Sequence, residues 1–90
     1  MLITLSALTS GDRINNTKLA LDEQFGLITE ISNDLTLPTQ NSTYGTIISW
    51  STNNVDGISN TGVYGKPYVD ENVTLTATIS YKGIKYTRIY

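Results

Sequence analysis

Asp34-Leu35-Thr36-Leu37-Pro38-Thr39, Ile47-Ile48-Ser49-Trp50-Ser51, Ile58-Ser59-Asn60-Thr61-Gly62-Val63 and Val73-Thr74-Leu75-Thr76-Ala77-Thr78-Ile79-Ser80 follow one another between residues 34 and 80. Each is short, rich in β-branched residues and set off by Gly, Pro or Asn. Segments of this kind recurring every ~8–12 residues are the pattern of a small antiparallel sandwich. Leu35 and Leu37 share one side of a strand that stops at Pro38, because proline has no N–H to give a continuing ladder. Ile48 and Trp50 share a face in Thr46–Trp50, the strongest local β signal in the chain. Val73, Leu75, Ala77 and Ile79 alternate with Thr74, Thr76, Thr78 and Ser80, which predicts a strand with one buried and one wet face. The expected core is therefore Leu35, Leu37, Ile48, Trp50, Leu75 and Ile79.

The connections fit the same scheme. Thr39 to Gly45 is a polar loop, Asn53-Asn54-Val55-Asp56-Gly57 is turn chemistry, and Ile58 and Val63 read as two very short strands flanking Asn60-Thr61-Gly62. Lys66-Pro67 opens another loop, and Lys82-Gly83 turns the alternating strand into Ile84–Tyr90. Sandwich strands thus account for residues 27–90. Upstream, the period changes: Leu21 and Phe25 stand at i,i+4, Ile14 extends the stripe one turn earlier, and Lys18 faces Asp22 on the exposed side. A short helix over 14–25 follows, with Asn16 as N-cap and Gly26 closing the end. Residues 2–8, Leu-Ile-Thr-Leu-Ser-Ala-Leu, alternate loosely and predict one more strand, broken by Thr9-Ser10-Gly11-Asp12.

Composition narrows the function classes. Ninety residues make one domain with a modest core and no room for a deep active-site cavity. Six basic and eight acidic side chains give a net charge of −2, with no cationic patch for phosphate, which argues against a nucleic-acid partner. Cysteine is absent, so stability rests on packing; histidine is absent as well, which removes the usual base near neutral pH and the commonest metal ligand. Met1–Leu8 lacks the basic start and the length of a signal peptide and is too short to span a bilayer.

The succession Leu-Thr-Leu-Pro-Thr, Ile-x-Trp-Ser, Ile-Ser-x-Thr-Gly-x-Val and Val-Thr-Leu-Thr-Ala-Thr-Ile, with a helix before it, resembles the bacterial immunoglobulin-like repeats of the shortened, "atrophied" kind. The resemblance covers about Asn15 to Tyr90. It implies an Ig-like antiparallel β-sandwich with one short N-terminal α-helix, and tandem placement in bacterial surface proteins or secreted carbohydrate-active enzymes. Two features depart from it: the helix holds Asn15-Asn16 where the family is richer in Ala, and the last strand ends at Ile89-Tyr90 where the family's runs on. Residues 2–8 look like the end of such a strand, so the chain is cut out of phase with the repeat. An incomplete edge leaves backbone groups unpaired. Leu2, Ile3 and Leu5 could then fold back beside Ile89 and Tyr90, the preferred expectation, or cap a neighbouring copy by strand addition, or stand free.

Trp50 could stack on a sugar, but its place beside Ile48 favours the core. Tyr44, Tyr64 and Tyr68, with Tyr81, Tyr86 and Tyr90, could form an aromatic strip for carbohydrate, although six tyrosines scattered over loops and strands mark no single platform. Asp22-Glu23 and Asp70-Glu71 are adjacent pairs whose side chains point apart, unlike the facing carboxylates of a glycosidase. Asp56 lacks the spaced oxygens of a calcium loop, and no Gly-x-Ser-x-Gly elbow supplies a nucleophile. Three Asn-x-Ser/Thr sequons, at Asn15, Asn41 and Asn72, are expected by chance in so Asn- and Thr-rich a chain. The expectation is a non-catalytic structural, spacer or adhesive module with no metal, cofactor or membrane insertion, acting outside the cell on neighbouring domains or another protein. The alternatives are a carbohydrate-binding module and a virion or filament subunit joined by strand exchange.

Overall fold

The computed structural model describes residues 1–90. Its one helix, α1, runs Ser10–Phe25, beginning a turn earlier than the sequence suggested. Thr9, not Asn16, is the N-cap. Its hydroxyl accepts from the Asp12 N–H at 3.0 Å while the Asp12 carboxylate accepts from the Thr9 N–H at 3.3 Å, a reciprocal capping box. Asp12 also places negative charge at the positive end of the helix dipole. Ile14, Thr17, Leu21 and Phe25 form the buried stripe, and Gly26 ends the helix with its N–H on the Asp22 carbonyl.

Four strands make one antiparallel sheet in chain order: β1 Gln40–Asn41, β2 Thr46–Thr52, β3 Leu75–Tyr81 and β4 Ile84–Ile89. Thr46, Ile48 and Trp50 alternate with Ile47, Ser49 and Ser51 in β2, and only the first set is buried. The register Ile48↔Ile79, Trp50↔Ala77 and Thr52↔Leu75 puts the apolar residues of β2 and β3 on one inner face. Helix α1 lies over that face. The opposite face carries Ser49, Ser51, Thr76, Thr78 and Thr87 and faces water, as the period-2 pattern requires.

Ile48, Trp50, Leu75 and Ile79 are buried as expected, joined by Ile14, Leu21, Phe25, Ile58 and Ala77, while Leu35 and Leu37 are partly buried against them. Trp50 is 9% exposed and its ring lies 5.0 Å from Phe25 and 6.3 Å from Tyr90, centroid to centroid. Its indole N–H donates to the Pro38 carbonyl at 2.8 Å, so the polar atom of the largest core side chain is satisfied.

Of the expected two-sheet sandwich over 27–90, one four-stranded sheet is formed, and no second sheet pairs beside it. Residues 34–37 and 58–64 make an irregular second layer with few ladder bonds: Leu35 N–H to the Gly62 carbonyl at 2.8 Å, Tyr64 N–H to the Asp34 carboxylate at 2.7 Å, and a bridge between Ile58 and Tyr64. Pro38 cuts the first segment short. Gly62, at φ +93°, reverses the second after four residues, and an added Cβ there would stand 2.1 Å from the Leu35 carbonyl oxygen. This layer and the helix together cover the face that a second sheet would take. β3 starts at Leu75 rather than Val73 because Asn53 closes the ladder, its side chain accepting from Thr74 N–H and its own N–H donating to the Thr74 carbonyl.

Residues 2–8 form no strand. Leu2, Ile3 and Leu5 are 101%, 73% and 93% exposed, and the fold-back onto β4 preferred from the sequence is not formed. Nine extended residues reach roughly 30 Å, and the molecule's long axis is 66 Å.

Candidate functional site

Helix α1 and β4 run side by side in the same direction. At the helix start, the Arg13 guanidinium donates to the Tyr44 carbonyl at 2.9 Å and lies 4.9 Å over the Tyr81 ring, next to where β3 turns into β4. One turn on, the Thr17 hydroxyl donates to the Arg13 carbonyl at 2.8 Å and lies 2.6 Å from the Thr46 hydroxyl. At the helix end, Asp22 accepts from Arg88 Nε at 2.9 Å and from the Tyr90 hydroxyl at 2.7 Å. Asp22 therefore pairs with the far end of the chain rather than with Lys18, four residues along its own helix. The Tyr90 hydroxyl and Arg88 hold the Asp22 carboxyl below its ordinary range. Burial pushes the Tyr90 phenol up, and the neighbouring carboxylate adds to the effect. Arg88 is raised in turn by its bond to Asp22.

This clamp fixes the polarity of the molecule. The chain enters the helix beside Tyr81, and residue 90 lies beside Phe25, whose ring is 5.7 Å from Tyr90. The two points are separated by the length of a 16-residue helix, about 24 Å at 1.5 Å per residue.

One groove, of about 710 Å3, opens beside Phe25 at the same end. Phe25, Ile31, Ile58, Tyr64, Val73 and Leu75 contribute its apolar lining, and Glu30, Asp70 and Glu71 its acidic rim. Asn54 braces the rim by donating to Glu71 at 2.7 Å. No Lys or Arg lines it. The tyrosines singled out from the sequence do not come together. Tyr64 lines the groove; Tyr44 sits with Arg13 at the opposite end of β2, a strand of seven residues, so the two are roughly 20 Å apart. Tyr68 is fully exposed in the loop after Pro67. Asp56 and the adjacent acidic pairs build no metal cluster.

The sheet edge is the other notable surface. Leu75 and Tyr90 exchange both backbone hydrogen bonds, at 2.7 and 2.9 Å. In an antiparallel ladder, alternate residues then point their backbone groups inward, and the ones between point out. Lys85, Thr87 and Ile89 therefore direct their N–H and C=O groups away from β3, to an edge that no other strand covers. Ile84 and Tyr86 share the inner face with Ile79 and yet are 50% and 43% exposed, because the helix leaves that corner open.

Thr17, Thr46 and Arg88 are not singled out by the sequence, which sets Asp22 beside Lys18 and Glu23 rather than beside Arg88 and Tyr90. A Thr within an apolar stripe was the available signal for the first. The Asp22 clamp joins residues 66 and 68 positions apart and leaves no local trace. No helix is long and apolar enough to cross a membrane. No curated protein matches the chain. The family model of the atrophied bacterial Ig domain matches residues 13–90, from the first turns of α1 through the whole sheet, and the chain belongs to that family.

Proposed function

We propose that the domain is a non-catalytic spacer or adhesive module of a multidomain bacterial protein at the cell surface or in the secreted fraction. The observation that carries this is the parallel course of α1 and β4, locked at Asp22 by Arg88 and Tyr90. Segments joined before Thr9 and after Tyr90 are held at opposite ends of a stiff body. The family supports a structural or adhesive role, and a chain without His or Cys has little with which to run acid–base or thiolate chemistry. The test is to attach a donor dye at the helix start through Ser10→Cys and an acceptor after residue 90. Single-molecule energy transfer should give one narrow population in native buffer that broadens at the urea concentration where the sheet melts. A broad native distribution would overturn the spacer reading.

The groove supports a second reading, a carbohydrate-binding module. A concave apolar floor with Tyr64 and a polar rim of Asn54 and Glu71 suits a sugar ring. Glycan-array binding that is lost in Tyr64→Ala and kept in Tyr44→Ala would promote it; a bare array with the native domain would remove it.

A further inference from the structure

We infer that the domain associates with a second copy of itself by strand addition: residues 2–8 of one chain pair with the open edge of β4 in the next. This goes beyond the spacing role and does not depend on it.

Both partners of that interface are on the surface and unused. Lys85, Thr87 and Ile89 offer three N–H and three C=O groups along a strand of six residues. Leu2 to Leu8 is a seven-residue extended segment of matching length, and none of its groups makes a hydrogen bond within the chain. It carries no charge to oppose pairing.

The side chains match face by face. Side chains alternate along a strand, so Ile3, Leu5 and Ala7 point one way and Leu2, Thr4, Ser6 and Leu8 the other. Added to β4, the first set continues the inner face where Ile84 and Tyr86 lie half uncovered. Thr4 and Ser6 then continue the Ser/Thr face of Ser49, Thr78 and Thr87. The middle of an added strand thus extends both faces in kind, while Leu2 and Leu8 at its ends fall on the Ser/Thr side, where Ile89 is 64% exposed.

The chain's own edge is harder to reach. Thr9 is fixed in extended geometry, φ −71° and ψ 163°, by the capping box, and the helix begins at the next residue. Helix and sheet layers stand roughly 10 Å apart, so the descent from α1 to the edge takes about three residues at up to ~3.6 Å each. That descent uses about three of the residues before Thr9 and shortens the pairing the segment can make with its own edge. A second copy meets the segment where it already is.

Sedimentation velocity on the full chain, from micromolar to millimolar, tests this with two variants. Thr87→Pro removes an N–H from the free edge while leaving the bonds to β3, and proline is tolerated on such edges. Thr4→Pro disables the donor segment: Thr4 shares the Thr87 face, so in an antiparallel pair its N–H is aimed at β4, and in the monomer it is exposed. The native chain should associate with rising concentration, and each variant alone should be at least about tenfold weaker, the worth of one to two lost hydrogen bonds. Mixed together, the variants should form a one-to-one dimer, because Thr87→Pro still offers a strand and Thr4→Pro still offers an edge. Circular dichroism and Trp50 emission confirm that each variant is folded. A native chain that stays monomeric, association indifferent to both substitutions, or a mixture that stays monomeric would each overturn the inference.

Discussion

The hydroxyl pair between α1 and β2 makes a prediction whose sign depends on which partner is removed. Thr17 and Thr46 are 0% and 1% exposed, and their hydroxyl oxygens lie 2.6 Å apart. Each hydroxyl has one proton. Thr17 gives its own to the Arg13 carbonyl at 2.8 Å, so the short contact is Thr46 donating to Thr17. Thr17→Val, nearly the same shape, leaves the Thr46 proton buried with no acceptor and should cost ~1–3 kcal/mol. Thr46→Val leaves Thr17 still donating to Arg13 and should cost at most ~1 kcal/mol. The double variant removes both polar groups from a dry site and should recover to within ~1 kcal/mol of the native domain, because replacing both partners by apolar groups of like shape is close to neutral. Urea unfolding followed through Trp50 emission measures all four corners of the cycle. Equal losses in the two single variants, or a double variant worse than Thr17→Val, would refute the proton assignment and the dryness of the helix–sheet interface.

Three further outcomes follow from the core, the clamp and the second layer. Trp50→Phe should cost ~2–3 kcal/mol in thermal or urea unfolding read by circular dichroism, since it orphans the Pro38 carbonyl and thins the contact with Phe25 and Tyr90; in the native protein the same indole should emit to the blue and resist iodide. Stability should fall at both ends of the pH scale. Asp22, held below its ordinary value, contributes at pH above the unfolded carboxylate range near 3.8 and loses that contribution as pH drops through its lower folded value; Tyr90, held above its ordinary 10.0, contributes fully below pH 10 and loses it as pH climbs. Denaturation midpoints across pH should show this plateau, and Tyr90→Phe should flatten the alkaline limb. Gly62→Ala should destabilise by at least ~2 kcal/mol in the same unfolding assay, because its φ of +93° and the Leu35 carbonyl 2.1 Å from the new methyl both oppose a side chain.

What the residues disclosed was whatever a short window contains. Ile48 with Trp50, and Leu75 with Ile79, announced their shared face through alternation, and Leu21 with Phe25 announced theirs through the helical repeat. The helix start was missed because Thr9 and Asp12 were read as a break, whereas Asp12 closes a capping box more often completed by Glu or Gln. The run from Leu2 to Leu8 shows why periodicity is not enough: the alternation is there, but a strand exists only where a ladder partner supplies its hydrogen bonds. The sandwich was expected from segments at 34–37 and 58–63 whose β-branched content is real. Pro38 and Gly62 keep them too short and too bent to zip together. Of the tyrosines in the candidate site, Tyr64 lines the groove, half-buried against the core. Its distance from Tyr44 depended on the path of β2 between them, which composition does not encode.

The Asp22 clamp has a bearing on how the chain leaves the ribosome. The helix is synthesised first, but the guanidinium and phenol that hold it down come 66 and 68 positions later. At typical bacterial elongation speeds of ~5–20 residues per second, α1 waits several seconds with Ile14, Leu21 and Phe25 uncovered. Closure of so distant a pair also slows the final docking step. Each copy of the domain therefore passes, as it is made, through a brief window in which an oily helix is bare.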